Sequence, residues 1–317
     1  MKTDTRPLTI NSLEAKGKSR TSYFYKYWQL YCMVAPGVLF FLLFKYVPIM
    51  GSVIAFQDYN IYKGITGSEF VGFKHFLTLF TYPEFTRILS NTILISIYQL
   101  IFGFPAPIIL ALLLNEVRKM WFKRTVQTIV YLPHFLSWVI VGGLVINVLS
   151  PNYGIINDLL EYLGFTRIFF MQQPEYFRSI VVASGIWKEV GWNTIIYLAA
   201  LASINPELYE AADVDGAGRL RKIVSITIPS LLPTIMILFL LRIGNLLELG
   251  FEQIYMLLNP LVAEKGQILD TYIYSIGLLG GQFSYTTAIG IFKSVVGLIL
   301  ILGFNQISKR VTGQTLY

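Results

Sequence analysis

Six continuous apolar runs constrain this 317-residue chain more than any other feature. They lie at about Leu30–Phe56, Thr92–Leu114, Thr125–Leu149, Ile180–Ala202, Leu231–Leu247 and Ala288–Ile307. A helix needs about 20 predominantly apolar residues to cross the hydrocarbon of a bilayer. Lipid offers no partner to backbone N–H and C=O groups, so each crossing segment satisfies its own as a helix. The runs are continuous and far longer than the roughly ten alternating residues of a barrel strand. Charge points the same way. Only 14 % of residues are charged and 55 % are apolar, where a soluble surface needs about a quarter charged. The sequence therefore predicts an all-α polytopic membrane protein with about six transmembrane helices. The fourth and fifth runs are the weakest, because Lys188, Glu189 and Arg242 lie inside them. Aromatic content of 15 % and a single cysteine, Cys32, exclude disorder and a disulfide scaffold.

Residues 1–28 form an N-terminal arm without an apolar core, which argues against a cleavable signal peptide. Its end, with Tyr23, Phe24, Tyr25, Tyr27 and Trp28 around Lys26, suits an interfacial anchor. Residues 29–308 read as one membrane domain and 309–317 as a tail, with no internal repeat. The second run carries Pro105 and Pro107, which remove backbone donors and bend it. Between the first two runs, Gly64, Gly67 and Gly72 predict turns, and Pro83-Glu84-Phe85 a short interfacial helix. Fifteen of the 25 basic residues fall on one alternate set of segments: the arm, 115–124, 203–230 and the tail. Six fall on the opposite loops, so both termini are expected in the cytoplasm. The net charge of +7 is thus a topology signal, and nucleic acid is not an expected partner.

The loop at 203–230 is the most informative stretch. Asn205 suits an N-cap, Pro206 the first helical position, and Glu207 adds negative charge to the first turn. A short helix over 206–214 follows, ended by Gly216 and Gly218, then a basic segment, Arg219–Lys222, leading to Pro229 and Pro233. Such a helix cannot span a membrane and is too small to fold alone, so it needs a surface to lie against. Ala211 and Ala212 leave room for one to approach closely.

Glu210-Ala211-Ala212, then Gly216, Ile226 and Ile228-Pro229, resemble the EAA loop of permease subunits of binding-protein-dependent ABC importers. Ile228 stands where the family has Leu, which keeps the apolar character. Val71-Gly72-Phe73-Lys74-His75-Phe76 and Asn91-Thr92 resemble the family's first outer loop and the start of its second span. Tyr131-Leu132-Pro133-His134-Phe135, Gly250-Phe251-Glu252-Gln253-Ile254, Leu258-Asn259-Pro260-Leu261 and Asp270-Thr271-Tyr272 resemble its sugar-importing branch. The last of these stretches is closest to permeases for complex oligosaccharides, including uronate-containing fragments such as those of alginate. The similarity runs from about residue 30 to the end.

The resemblance implies a type I importer in a bacterial cytoplasmic (inner) membrane. In it a second homologous permease pairs with this one, two ATPase subunits dock below, and an extracytoplasmic solute-binding protein delivers an oligosaccharide. The EAA loop would be a cytoplasmic coupling helix. Glu207 and Glu210 would supply polar contacts, Ala211, Ala212 and Gly216 close approach, and Asp213 and Asp215 peripheral charge. No Gly-x-x-x-x-Gly-Lys-Ser/Thr run exists, and Gly-Ala-Gly-Arg at 216–219 lacks its lysine and length. ATP and Mg would therefore serve the partner ATPase chains; this chain binds no cofactor of its own and is not an enzyme.

Charge at membrane depth is costly and marks candidate function. At 3.6 residues per turn Glu189, Trp192, Asn193 and Ile196 share a face that Tyr197 continues, with Lys188 beside it. Aromatic rings near a carboxylate and an amide suit a sugar; the alternative is interhelical pairing of Glu189 with Lys188 or Arg242. Arg242, Asn245 and Glu248 follow at three-residue steps, to line either a path or a helix contact, with Gly244 allowing a bend. His75 and His134 are scattered and make no metal site. Two rival functions remain: an ion-coupled secondary transporter, which leaves the EAA-like loop unexplained, and a membrane enzyme using Glu189 and Lys188, which lacks a nucleophile motif.

Overall fold

The computed structural model describes residues 20–312, so 1–19 of the arm and 313–317 of the tail lie outside the described residues. The described residues divide into two compact units that meet between Val53 and Ile54 in the sequence. In the first, helix begins at Arg20 and runs to Phe41, then passes through a π-helical turn, Leu42–Tyr46, into Val47–Gly51. Val34, Phe41, Phe44 and Ile49 stay exposed along it. That is the surface expected of a helix whose solvent is lipid.

The second unit is built almost wholly of helix. Pro83–Glu116, Arg219–Gly244 and Phe283–Gln306 are long and apolar enough to cross a membrane, as is Tyr25–Phe56, which runs over the unit boundary. The count differs from six at the third and fourth runs. The third is a pair of helices, Met120–Phe135 and Trp138–Val148, bent by 105°. Pro133 lacks the N–H that would continue the first helix, and Ser137 caps the second by accepting from Ile140 N. The fourth is one 29-residue helix, Pro174–Ala202, whose polar stretch from Lys188 to Asn193 lowers its apolarity.

Other boundaries also move. Pro83 opens the long helix directly, because Pro is favourable at the first helical position, and the short helix of that loop is Lys74–Thr81, just before it. The basic segment Arg219–Lys222 is the first turn of the fifth helix, which continues through a π-helical turn at Ile223–Thr227. That helix ends at Gly244, and Asn245 leaves it at φ −100°, ψ 24°. Asn245 caps the helix end, its N–H still bonded to Leu241 O, and Glu248 lies beyond the helix, so the face of Arg242 extends no further than Asn245. In the second run the bend expected from Pro105 takes the form of a π-helical turn, Gln99–Gly103, just before it.

The turn region after the first run is a small antiparallel pairing of Gln57–Asp58 with Glu69–Phe70. A hydrogen bond from Lys74 across it holds the Asp58 carboxyl below its ordinary range.

The Pro174–Ala202 helix is the centre of the unit. It packs on Pro105–Glu116, Met120–Tyr131 and Ile228–Gly244. One core cluster joins Ile95, Phe177, Val181, Ile254 and Ile268; another joins Ala111, Tyr197, Leu201 and Leu231. At Gly191 the helix lies directly against the Val130 carbonyl, and a Cβ there would overlap that backbone atom. Backbone cannot give way as a flexible side chain can, so the contact requires glycine. Gly191→Leu is expected to destabilise the protein by about 3 kcal/mol or more, an overpacking cost. Thermal unfolding in detergent, with Gly290→Leu as the control at a position with open space around it, checks this.

Candidate functional site

Two regions bring the sequence candidates together. The first is the loop after the central helix. Its helix spans Pro206–Val214, with Asn205 accepting from Glu207 N at 3.1 Å. The far end is closed by Gly216, at φ +71°. Gly216 N donates to Asp213 O at 3.1 Å and Ala217 N to Ala212 O at 2.8 Å, the paired bonds of a Schellman cap. Tyr209 OH meets Thr227 Oγ1 at 2.9 Å, and Lys222 Nζ donates to Asp213 Oδ1 at 2.5 Å. The loop is thus pinned to the base of the fifth helix. Asp213, expected as a peripheral charge, is one of the pins. Glu207, Glu210, Ala211 and Asp215 remain exposed, as do Leu208, Val214 and Leu220, at 48 %, 89 % and 79 %.

The second region is a cavity of about 270 Å³ beside the central helix. Gln99, Glu189, Asn193, Tyr197 and Arg242 line it with the apolar Phe104, Ile196 and Leu238. Glu189, Asn193 and Tyr197 follow at i+4 steps, so their shared face is as expected. Trp192 sits about 100° around the helix from Asn193 and leaves the cavity wall. It stacks instead on His134, with ring centroids 4.4 Å apart and planes 2° from parallel.

Glu189 is held from behind. Lys188 Nζ donates to its Oε1 at 2.9 Å, and His134 Nδ1 lies 2.8 Å from its Oε2. Lys188 also donates to the His134 carbonyl at 2.8 Å and lies 5.3 Å above the Trp138 ring. This cluster ties the central helix to both sides of the 105° bend. Arg242 makes no ion pair with Glu189; its Nη2 donates to Gln99 Oε1 at 2.5 Å. Neither Gln99 nor the role of His134 is among the expected site residues. Gln99 could have been suspected as the one side-chain amide within the second apolar run, six residues ahead of Pro105. His134 had no such signal, because its partner is 55 residues away.

Residues 103–313 match the family of binding-protein-dependent transport system inner membrane components. The chain belongs to that family. It is a permease, a multi-pass protein of the inner membrane. It is 51 % identical over 288 residues to the polygalacturonan/rhamnogalacturonan transport system permease protein YteP of Bacillus subtilis (strain 168), covering 91 % of this chain and 90 % of that one. Identity to protein LplB of the same organism is 49 %, over 91 % of each chain. A crystal structure of a bacterial alginate ABC transporter, in complex with alginate pentasaccharide-bound periplasmic protein, contains a chain that superposes with a TM-score of 0.86. That chain is 46 % identical, and the match covers 93 % of this permease and 98 % of its counterpart. An ion-coupled carrier and an acid–base enzyme are set aside by this membership. The matched residues include the whole 203–230 loop and every cavity residue named above except Gln99.

Two outcomes follow for the permease. Lys188→Met leaves the Glu189 carboxylate without one cation in a half-buried setting, and is expected to cost about 2–3 kcal/mol. Adding Glu189→Gln should restore at least half of that, as a double-mutant cycle of thermal midpoints would show. Gly216→Ala forces a side chain into the left-handed region at a cost of about 1 kcal/mol. Faster amide exchange over 206–218, with the spans unchanged, is the expected signature.

Proposed function

We propose that this permease forms half of the translocation path of an ATP-driven importer for oligosaccharides cut from acidic polysaccharides. The substrate class is supported by the names of its relatives, which transport polygalacturonan/rhamnogalacturonan or alginate. In this reading a solute-binding protein delivers the sugar from outside, and a second homologous permease supplies the other half of the path. Glu189, Asn193, Tyr197 and Arg242 line the path on this side, with Trp192 supporting its wall through His134. Asn245, expected on the path, is not among the residues that line this cavity.

Coupling runs through the 203–230 loop to two ATPase subunits, which hold ATP and Mg. The observation that carries this is the loop itself: a helix capped at both ends, pinned to the fifth span, presenting Leu208, Val214 and Leu220 to solvent beside Glu207 and Glu210. Apolar side chains held out on a rigid loop suit a partner surface. The surplus of basic residues on the arm, on this loop and on the tail supports placing all three in the cytoplasm, where the ATPases act.

Co-expression with the ATPase and the second permease tests this directly. Deleting residues 206–218 is expected to release the ATPase on purification while the two permeases stay together. Retention of the ATPase by the deleted chain would refute the coupling role.

A further inference from the structure

Two ionic side chains border the 270 Å³ cavity, and they are not equivalent. Both oxygens of Glu189 are engaged from outside the cavity, by Lys188 and His134. Arg242 has a single hydrogen-bond partner among the described residues, the neutral amide oxygen of Gln99, and no carboxylate within ion-pair distance. We infer that Arg242 is the residue that reads a substrate carboxylate in the path, selecting uronate-bearing oligosaccharides over neutral ones. The inference rests on the importer reading above and assigns its charge selectivity to one side chain.

The argument is one of unmet bonding. A guanidinium carries five N–H donors in a rigid fork, and a carboxylate takes two of them in parallel. Holding Gln99 uses one donor and fixes the fork; a neutral amide or hydroxyl would hold Gln99 equally well. Arg242 lies in the last turn of the apolar fifth helix and is exposed in this chain, so its remaining donors are open to a ligand. The rest of the wall suits the remainder of a sugar. Asn193 and Tyr197 offer an amide and a hydroxyl to ring hydroxyls, and Phe104, Ile196 and Leu238 offer apolar surface to a ring face. Because Glu189 is already paired with the Lys188 ammonium and held by His134, it does not repel an entering acid.

The test uses the complete importer in liposomes with trigalacturonate and its fully methyl-esterified form. Loading of the binding protein by each sugar is measured separately by calorimetry, so that uptake is compared per loaded binding protein. Arg242→Gln is expected to slow uptake of the acid about 10- to 100-fold, the loss of a charge-assisted hydrogen bond, and uptake of the ester less than threefold. Arg242→Lys, which keeps charge but loses the fork, should fall between. If Arg242→Gln does not assemble, Gln99→Leu decides: it frees the guanidinium, and the acid-to-ester uptake ratio should fall. Equal loss for both sugars, or an unchanged ratio, would overturn the role of Arg242. A wild-type importer that moves neither sugar from a loaded binding protein would instead overturn the importer reading, and this inference with it.

Discussion

A bilayer offers no partner to a backbone amide or a charged head group, and this permease is organised by how that demand is met. Its spans keep their backbone bonds within each helix. Where a proline breaks the ladder, the chain widens into a π-helical turn before Pro105 or breaks into two helices after Pro133. Side-chain charge is gathered on the central helix and closed on itself. Lys188, Glu189 and His134 satisfy one another across the bend of the third run, and Trp192 covers the histidine. The costly groups and the irregular backbone thus stabilise each other at one place.

Outside the bilayer the constraint is reversed, because water competes for every polar contact. The 203–230 loop keeps its shape there through bonds that are local and directional: the Asn205 cap, the closure at Gly216, and the Tyr209–Thr227 and Lys222–Asp213 links. These pins join the short helix to the base of the fifth span. That same span carries Arg242 at its other end, so the proposed coupling surface and the cavity wall share one continuous helical segment.

Much of the loop was legible in the sequence. Asn205, Pro206 and Gly216 act within a few residues of themselves, so spacing alone placed the helix at 206–214. The shared face of Glu189, Asn193 and Tyr197 was legible for the same reason, since helical period is local. The pairing of charges was not. Lys188 and Arg242 were both open as partners of Glu189, and the choice turned on which helices lie side by side. The bend at Pro133 and the early end of the fifth helix at Gly244 were also hidden, because an apolar run does not record where its backbone direction changes.

The sequence by itself determined that this is a helical membrane protein and where the short helix of its 203–230 loop lies. Those properties follow from composition, period and capping, which act over distances of a few residues. Only the tertiary structure decided that Glu189 is held by His134 as well as by Lys188, while Arg242 faces the cavity with Gln99 and without a carboxylate. The reason is geometric: His134 and Glu189 lie 55 residues apart in the chain and Gln99 and Arg242 lie 143 apart, and only packing of the helices brings each pair within hydrogen-bonding reach.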